Sequence, residues 1–177
     1  MRISRMKKFQ FLLLDAGPII GLFEMDLWDK FIERCDIIIG RTVAREAQYA
    51  RQEIVDIRID IQPYEMEKKI TVIDTNATDV RNFRSNYLKK CNYQIDDGEM
   101  ELLAWLFSSE KPYKLCTADG AVFQILARYN KSEQGISLEE VLKEIGLSQC
   151  QLNKIYTKKF REKHTKIGQV DAIQNFE

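Results

Sequence analysis

Residues 11–20 read FLLLDAGPII, four apolar residues that run into an acid and then into small, turn-forming residues. The unbroken apolar run Phe11–Leu14 fits a strand buried on both faces of a parallel sheet, and AGP breaks it immediately after Asp15. Asp15 therefore stands at the carboxyl end of a central strand, and the Gly17-Pro18 pair favours a turn there. From Ile19 onward Ile20, Phe23, Leu27, Trp28 and Phe31 recur at helical spacing, enough for two short helices, before Asp36 introduces a second strand, Ile37-Ile38-Ile39. Strand, helix and strand make a first βαβ unit.

The same alternation continues. Gly40-Arg41-Thr42 turns the chain into a helix beginning near Val43, with Thr42 as its expected N-cap and Glu46 in its first or second turn. Val55, Ile57, Ile59 and Ile61 alternate with polar residues as in a half-exposed edge strand, a local elaboration that Pro63 ends; a short helix and a buried strand Ile70–Ile73 follow. A helix between Thr75 and Lys90 turns Val80, Phe83, Tyr87 and Leu88 inward. Asp96 or Asp97 caps the next helix, whose apolar stripe is Met100, Leu103, Ala104 and Phe107, with Glu99 in its first turn. Lys114–Thr117 is a strand that exits through Ala118-Asp119-Gly120 into a helix ending near Tyr129; Ile136 begins a last short strand, and a helix from Leu138 is closed by Gly146. Strands alternating with helices predict a three-layer α/β/α domain with a mostly parallel sheet.

Composition narrows the chemistry. The 177 residues carry 27 Lys plus Arg against 27 Asp plus Glu, so contact with a polyanion has to come from local asymmetry rather than net charge. The four cysteines form no CxxC pair, and Cys35 and Cys116 lie in or beside apolar runs, as small buried hydrophobes do in a reducing compartment. His164 is the only histidine, which excludes histidine-rich metal sites and a Ser-His-Asp triad; a metal site here would use oxygen ligands. The N-terminal MRISRMKKFQFLLL resembles a signal peptide until Asp15 stops its apolar run without a cleavage pattern, and no other segment approaches the roughly 18 apolar residues of a membrane span. A cytoplasmic protein with no membrane partner is expected.

Four acids mark element boundaries: Asp15 in FLLLDAGPII, Glu46 in RTVAREAQ, Glu99 in DDGEMELLAW and Asp119 in KLCTADGAVF. Each has a structural explanation of its own, since Asp before Gly is a common turn residue and acids favour helix N-termini. In an open α/β sheet, however, ligands bind outside the carboxyl ends of the strands, where acids far apart in sequence converge. Convergent carboxylates attract a hard divalent cation, and crowding raises the affinity of one of them for a proton.

With those stretches in that order, LLLDAGPIIGL, VAREA, DDGEMELLAWL and LCTADGAVFQIL, the chain resembles a PIN-domain protein over roughly residues 10 to 145. The boundaries expected are a PIN-like domain at 10–148 and a basic C-terminal helix or tail at 149–177. The resemblance implies a metal-dependent ribonuclease with Asp15, Glu46, Glu99 and Asp119 as catalytic residues. It also implies Mg²⁺ or Mn²⁺ on Asp15, Glu99 and Asp119, with Thr117, in a T-x-D arrangement, and Asp97 as supporting groups. Many PIN domains carry Ser or Thr after the first Asp; this chain has Ala16. RNA is the implied substrate. A small antitoxin protein is an implied partner if the chain is the toxin of a toxin–antitoxin pair, and a homodimer is an assembly open to it.

Two other readings compete. One is a PIN-like module that binds RNA or protein without cutting, which Ala16 favours and retention of four acids opposes. A phosphatase-type hydrolase needs a second Asp two residues after Asp15, where Gly17 stands. Near the C-terminus Lys158, Lys159, Arg161 and Lys163 interleave with Tyr156 and Phe160, a pattern that suits phosphates and stacked bases but equally suits a solvated helix face. Arg2, Arg5, Lys7 and Lys8 form a second basic run with the same two readings.

Overall fold

The computed structural model describes residues 8–47, 49–52, 55–89 and 91–174. The apolar run opens the fold as strand β1 (Phe9–Leu14), followed by helices α1 (Ala16–Glu24) and α2 (Trp28–Arg34), strand β2 (Cys35–Gly40) and helix α3 (Arg41–Glu46). Strands β3 (Tyr49–Gln52) and β4 (Val55–Arg58), helix α4 (Gln62–Met66), strand β5 (Ile70–Ile73) and helix α5 (Ala77–Phe83) come next, the last continuing as a π-helical turn, Arg84–Leu88. Helix α6 (Asp97–Ser108), strand β6 (Lys114–Cys116), helix α7 (Gly120–Arg128), strand β7 (Gly135–Ile136), helix α8 (Leu138–Glu144) and helix α9 (Lys158–Gln174) follow.

Five strands form one all-parallel sheet in the order β5-β2-β1-β6-β7, flanked by helices as a three-layer α/β/α domain. β1 lies at its centre, with Leu12, Leu13 and Leu14 fully buried, which is what an uninterrupted apolar strand requires. The winding proceeds outward from β1 through β2 to β5 and then returns to β6 on the other side of β1. The reversal between β1 and β6 is a topological switch point, where helices leave the sheet edge in opposite directions and open a crevice.

Several local expectations are revised. No turn separates β1 from α1: Asp15 ends the strand and caps the helix, and Pro18 sits in the first turn, where its missing N–H costs nothing. Helix α3 is capped by Gly40 rather than Thr42, whose N–H is given to Glu101 at 2.9 Å. Only Val55–Arg58 of the alternating segment is a strand, and it pairs antiparallel with Tyr49–Gln52 apart from the main sheet. Ile59 and Ile61 are buried beyond its end. The φ of Gly146 is +73°, and the Leu147 N–H bonds the Leu142 carbonyl at 2.7 Å, a glycine-dependent closure of α8.

Helix α9 is packed, not free. Gly168 meets the backbone of Gln124 so closely that a side chain there would collide with it, which lets α9 lie directly on α7. Tyr156, just before α9, donates its hydroxyl to the Gly17 carbonyl at 2.9 Å, and Arg161 grips Glu140 through two bonds of 2.7 and 2.8 Å. Cys35 and Cys116 are buried in the sheet, as their apolar surroundings predict. Among the described residues no helix is long and apolar enough to cross a membrane. The basic residues Arg2, Arg5 and Lys7 lie outside the described residues.

Candidate functional site

The acids gather at the carboxyl edge of the sheet because each is the hinge between one element and the next. Asp15 leaves β1 and caps α1, its Oδ1 accepting the Ala16 N–H at 2.7 Å. Its Oδ2 accepts the buried Thr117 hydroxyl at 2.8 Å, and the same Oγ1 accepts the Asp119 N–H at 3.0 Å. Thr117 thus ties the end of β1 to the exit of β6 across the switch point. Asp119 caps α7, its Oδ1 accepting the Ala121 N–H at 2.5 Å. The hydroxyl missing at residue 16 has a counterpart in Thr117, which reaches the same carboxylate from the neighbouring strand.

Glu99 enters from α6. It completes a capping box with Asp96: the Glu99 N–H bonds Asp96 Oδ1 at 2.8 Å, and the Asp96 N–H bonds Glu99 Oε2 at 3.0 Å. Both Asp15 and Glu99 are buried, 6% and 5% exposed. Burial, and then the charges of Asp96 and Asp119, push the Asp15 carboxyl up to about 6 against the pull of its two hydrogen bonds. Burial, followed by the charges of Asp119 and Asp15, pushes Glu99 up to about 8. These mutual effects show that Asp15, Glu99 and Asp119 share one electrostatic neighbourhood.

Glu46 joins from a different direction than its position in the sequence suggests. It is the last residue of α3, at the negative end of the helix, so the dipole does not favour it. Its carboxylate lies against Gly98, where a Cβ would come within 2.5 Å of Oε2, and the Gly98 N–H helps to hold it. Glu46 is exposed as a residue, but partial desolvation of its carboxylate against Gly98 raises its proton affinity, with Asp96 and Asp15 adding to the rise. Asp97 is exposed in the first turn of α6 and registers weakly at Glu46; Asp96 is the aspartate whose charge reaches Asp15 and Glu99.

None of the described ion pairs engages Asp15, Glu46, Glu99 or Asp119. Among the described residues, no group of three or more His, Cys, Asp or Glu side chains is arranged to hold a metal ion. Each acid instead turns at least one oxygen to backbone N–H groups. Carboxylate oxygens keep further lone pairs, so capping a helix and binding a cation are compatible uses of one group.

Two residues escape a reading of the sequence alone. Glu101 is 8% exposed and bonds the backbone N–H of Thr42 at 2.9 Å and of Thr75 at 3.2 Å, fastening α3 and the exit of β5 to α6. The signal was present: a charge inside MELLAWL, on a helix otherwise apolar, has to be paired if it is buried. His164 of α9 packs against Gly120, next to Asp119, and its Nδ1 lies 2.8 Å from Gln124 Nε2. Burial lowers its proton affinity, Lys163 lowers it further, and Asp119 opposes both. Nothing in the sequence brings residues 119 and 164 together.

Of the basic residues of α9, Arg161 is committed to Glu140, whereas Lys158, Lys159 and Lys163 are exposed, with Lys158 in a 3.5 Å pair with Glu162. Neither a protein-family model nor a curated protein matches the chain.

Proposed function

We propose that the chain is a divalent-metal-dependent endoribonuclease of the PIN type, working at the switch-point crevice between β1 and β6. The observation that carries this reading is a pair of buried carboxylates, Asp15 and Glu99, whose proton affinities are raised by burial and by neighbouring acids while no described cation pairs with them. A purely structural cap gains nothing from sharing its site with other acids; a cation site does. The donor set fits Mg²⁺ or Mn²⁺, since it offers only oxygen.

In this reading Asp15, Glu99 and Asp119 would hold the ion, which would supply Lewis acidity to activate a water and to steady the leaving oxygen of a phosphodiester. Thr117 keeps Asp15 and Asp119 in fixed relation, and Glu101 anchors the helix that presents Glu46. Glu99, whose proton affinity burial and its acidic neighbours raise, would hold the ion in its deprotonated form. The packing of His164 beside Gly120 brings the lysine-bearing helix α9 to the rim of this crevice, and exposed Lys159 and Lys163 are suited to RNA phosphates. A small antitoxin protein covering this rim is the partner expected of a toxin.

One observation favours a module that binds without cutting: Asp15, Asp119 and the Asp96–Glu99 pair all serve as helix caps already. Incubation of a mixed RNA pool with Mg²⁺ or Mn²⁺ separates the two. The nuclease reading predicts cleavage by the wild type that Asp15→Asn and Asp119→Asn abolish. Equal cleavage by all three proteins, or by none, contradicts it.

A further inference from the structure

The opposite edge of the sheet carries its own concentration of charge. Lys8 precedes β1, Lys68 and Lys69 precede β5, and Lys111 lies just ahead of β6, so lysines from three separated segments meet at the amino ends of the strands. With Asp36 as the one acid among them, they line a cleft of about 340 Å³. Lys8 lies 3.6 Å from Asp36 and Lys69 lies 2.6 Å from Glu67; the side chains of all four residues are largely exposed. Exposed ion pairs of this kind contribute little and exchange readily for another anion.

An aromatic ring stands in the same cleft. The register of β1 against β2 slips between Phe9 and Leu12, and Phe11 within the slip has φ +58°, a left-handed conformation rare for a bulky residue. The irregularity leaves Phe11 37% exposed beside the lysines, while its ring meets the buried Tyr113 edge-on at 5.7 Å. A ring supported from behind and bordered by lysines combines a stacking platform with phosphate contacts.

We propose that this amino-edge cleft is a second nucleic-acid contact surface, binding a single strand with phosphates on Lys8, Lys68, Lys69 and Lys111 and a base stacked on Phe11. It shares a nucleic-acid partner with the proposed function but needs no cleavage and no metal. From Lys8 to Asp15 the strand direction covers about 23 Å, so the surface is separate from the acidic crevice.

The test is binding of a fluorescent single-stranded RNA of about 12 nucleotides to the full chain in EDTA, across a salt series. Thermal unfolding serves as the control for folding. Lys68→Glu combined with Lys111→Glu is expected to weaken binding and to reduce the slope of log affinity against log salt by about 1.4. Phe11→Ala is expected to weaken binding by roughly 5-fold to 150-fold with little change in salt slope. Binding is read in EDTA, where metal-dependent cleavage does not occur, so loss of cleavage and loss of this contact are told apart. Unchanged affinity and slope in folded Lys68→Glu/Lys111→Glu protein overturns the proposal. Tight binding to phosphatidylserine vesicles that the lysine variant loses, with Phe11→Ala neutral towards RNA, overturns nucleic acid as the occupant.

Discussion

The carboxyl edge of the sheet and its amino edge are made by the same strands, yet they hold charge in opposite ways. At the carboxyl edge Asp15 and Glu99 are buried; Asp15 and Asp119 each accept an N–H from the first turn of the helix they cap, and Glu99 accepts the N–H of its N-cap, Asp96. At the amino edge the lysines are exposed, and the partners of Lys8 and Lys69 face solvent as well. Strand exits lead into helix N-termini, whose free N–H groups hold acids in place; strand entrances offer no such donors, and lysines there remain adjustable. The fold therefore builds a rigid anionic site at one end and an adaptable cationic surface at the other.

The contrast breaks most readily at the acids themselves. Asp119→Asn is expected to lower RNA cleavage by about 10²-fold or more while leaving helix α7 capped, because asparagine retains an acceptor oxygen. A cleavage assay alongside circular dichroism checks both halves of that statement. Thr117→Val removes the hydroxyl that joins Asp15 to Asp119; metal affinity, measured by titration, should fall by about 10- to 100-fold.

Smaller effects fall on stability. Glu101→Ala strands the N–H groups of Thr42 and Thr75 and should cost about 1–3 kcal/mol in denaturant unfolding. Arg161→Ala, which opens the clasp of α9 on Glu140, should cost about 1–2 kcal/mol by the same measurement. The Asp15 and Glu99 carboxyls have folded values of about 6 and about 8, above their ordinary values of 3.8 and 4.5. Their sign is therefore that of groups preferring the protonated folded state. Metal-free protein should be most favoured by these groups below pH about 4 and lose that contribution as pH rises through about 6 and then about 8. Melting temperatures across that range in EDTA check it, and saturating Mn²⁺ should flatten the decline.

The layered α/β/α fold was legible because β1, β2 and β5 are apolar runs and the intervening helices keep their periodicity. Strand β3, YARQ, gave no such pattern; it pairs antiparallel with β4 apart from the main sheet. Asp15 and Asp119 could be placed because a strand end is visible as an apolar run stopping. Glu46 was placed near its helix but not at that helix's C-terminal end, because Gly40 rather than Thr42 caps it. Glu101, His164 and the lysine cleft depend on contacts between distant segments, and only tertiary packing creates those.

The central proposal is that the carboxyl edge would bind a divalent cation with Glu99 in its deprotonated form. Calorimetric titration of Mn²⁺ into metal-free protein at pH 7, repeated in buffers of different ionisation enthalpy, reads binding and proton release together. The account predicts saturable binding with proton release in the wild type, reduced release in Glu99→Gln and strongly weakened binding in Asp15→Asn. No saturable binding by the wild type, or identical binding by all three, would contradict it.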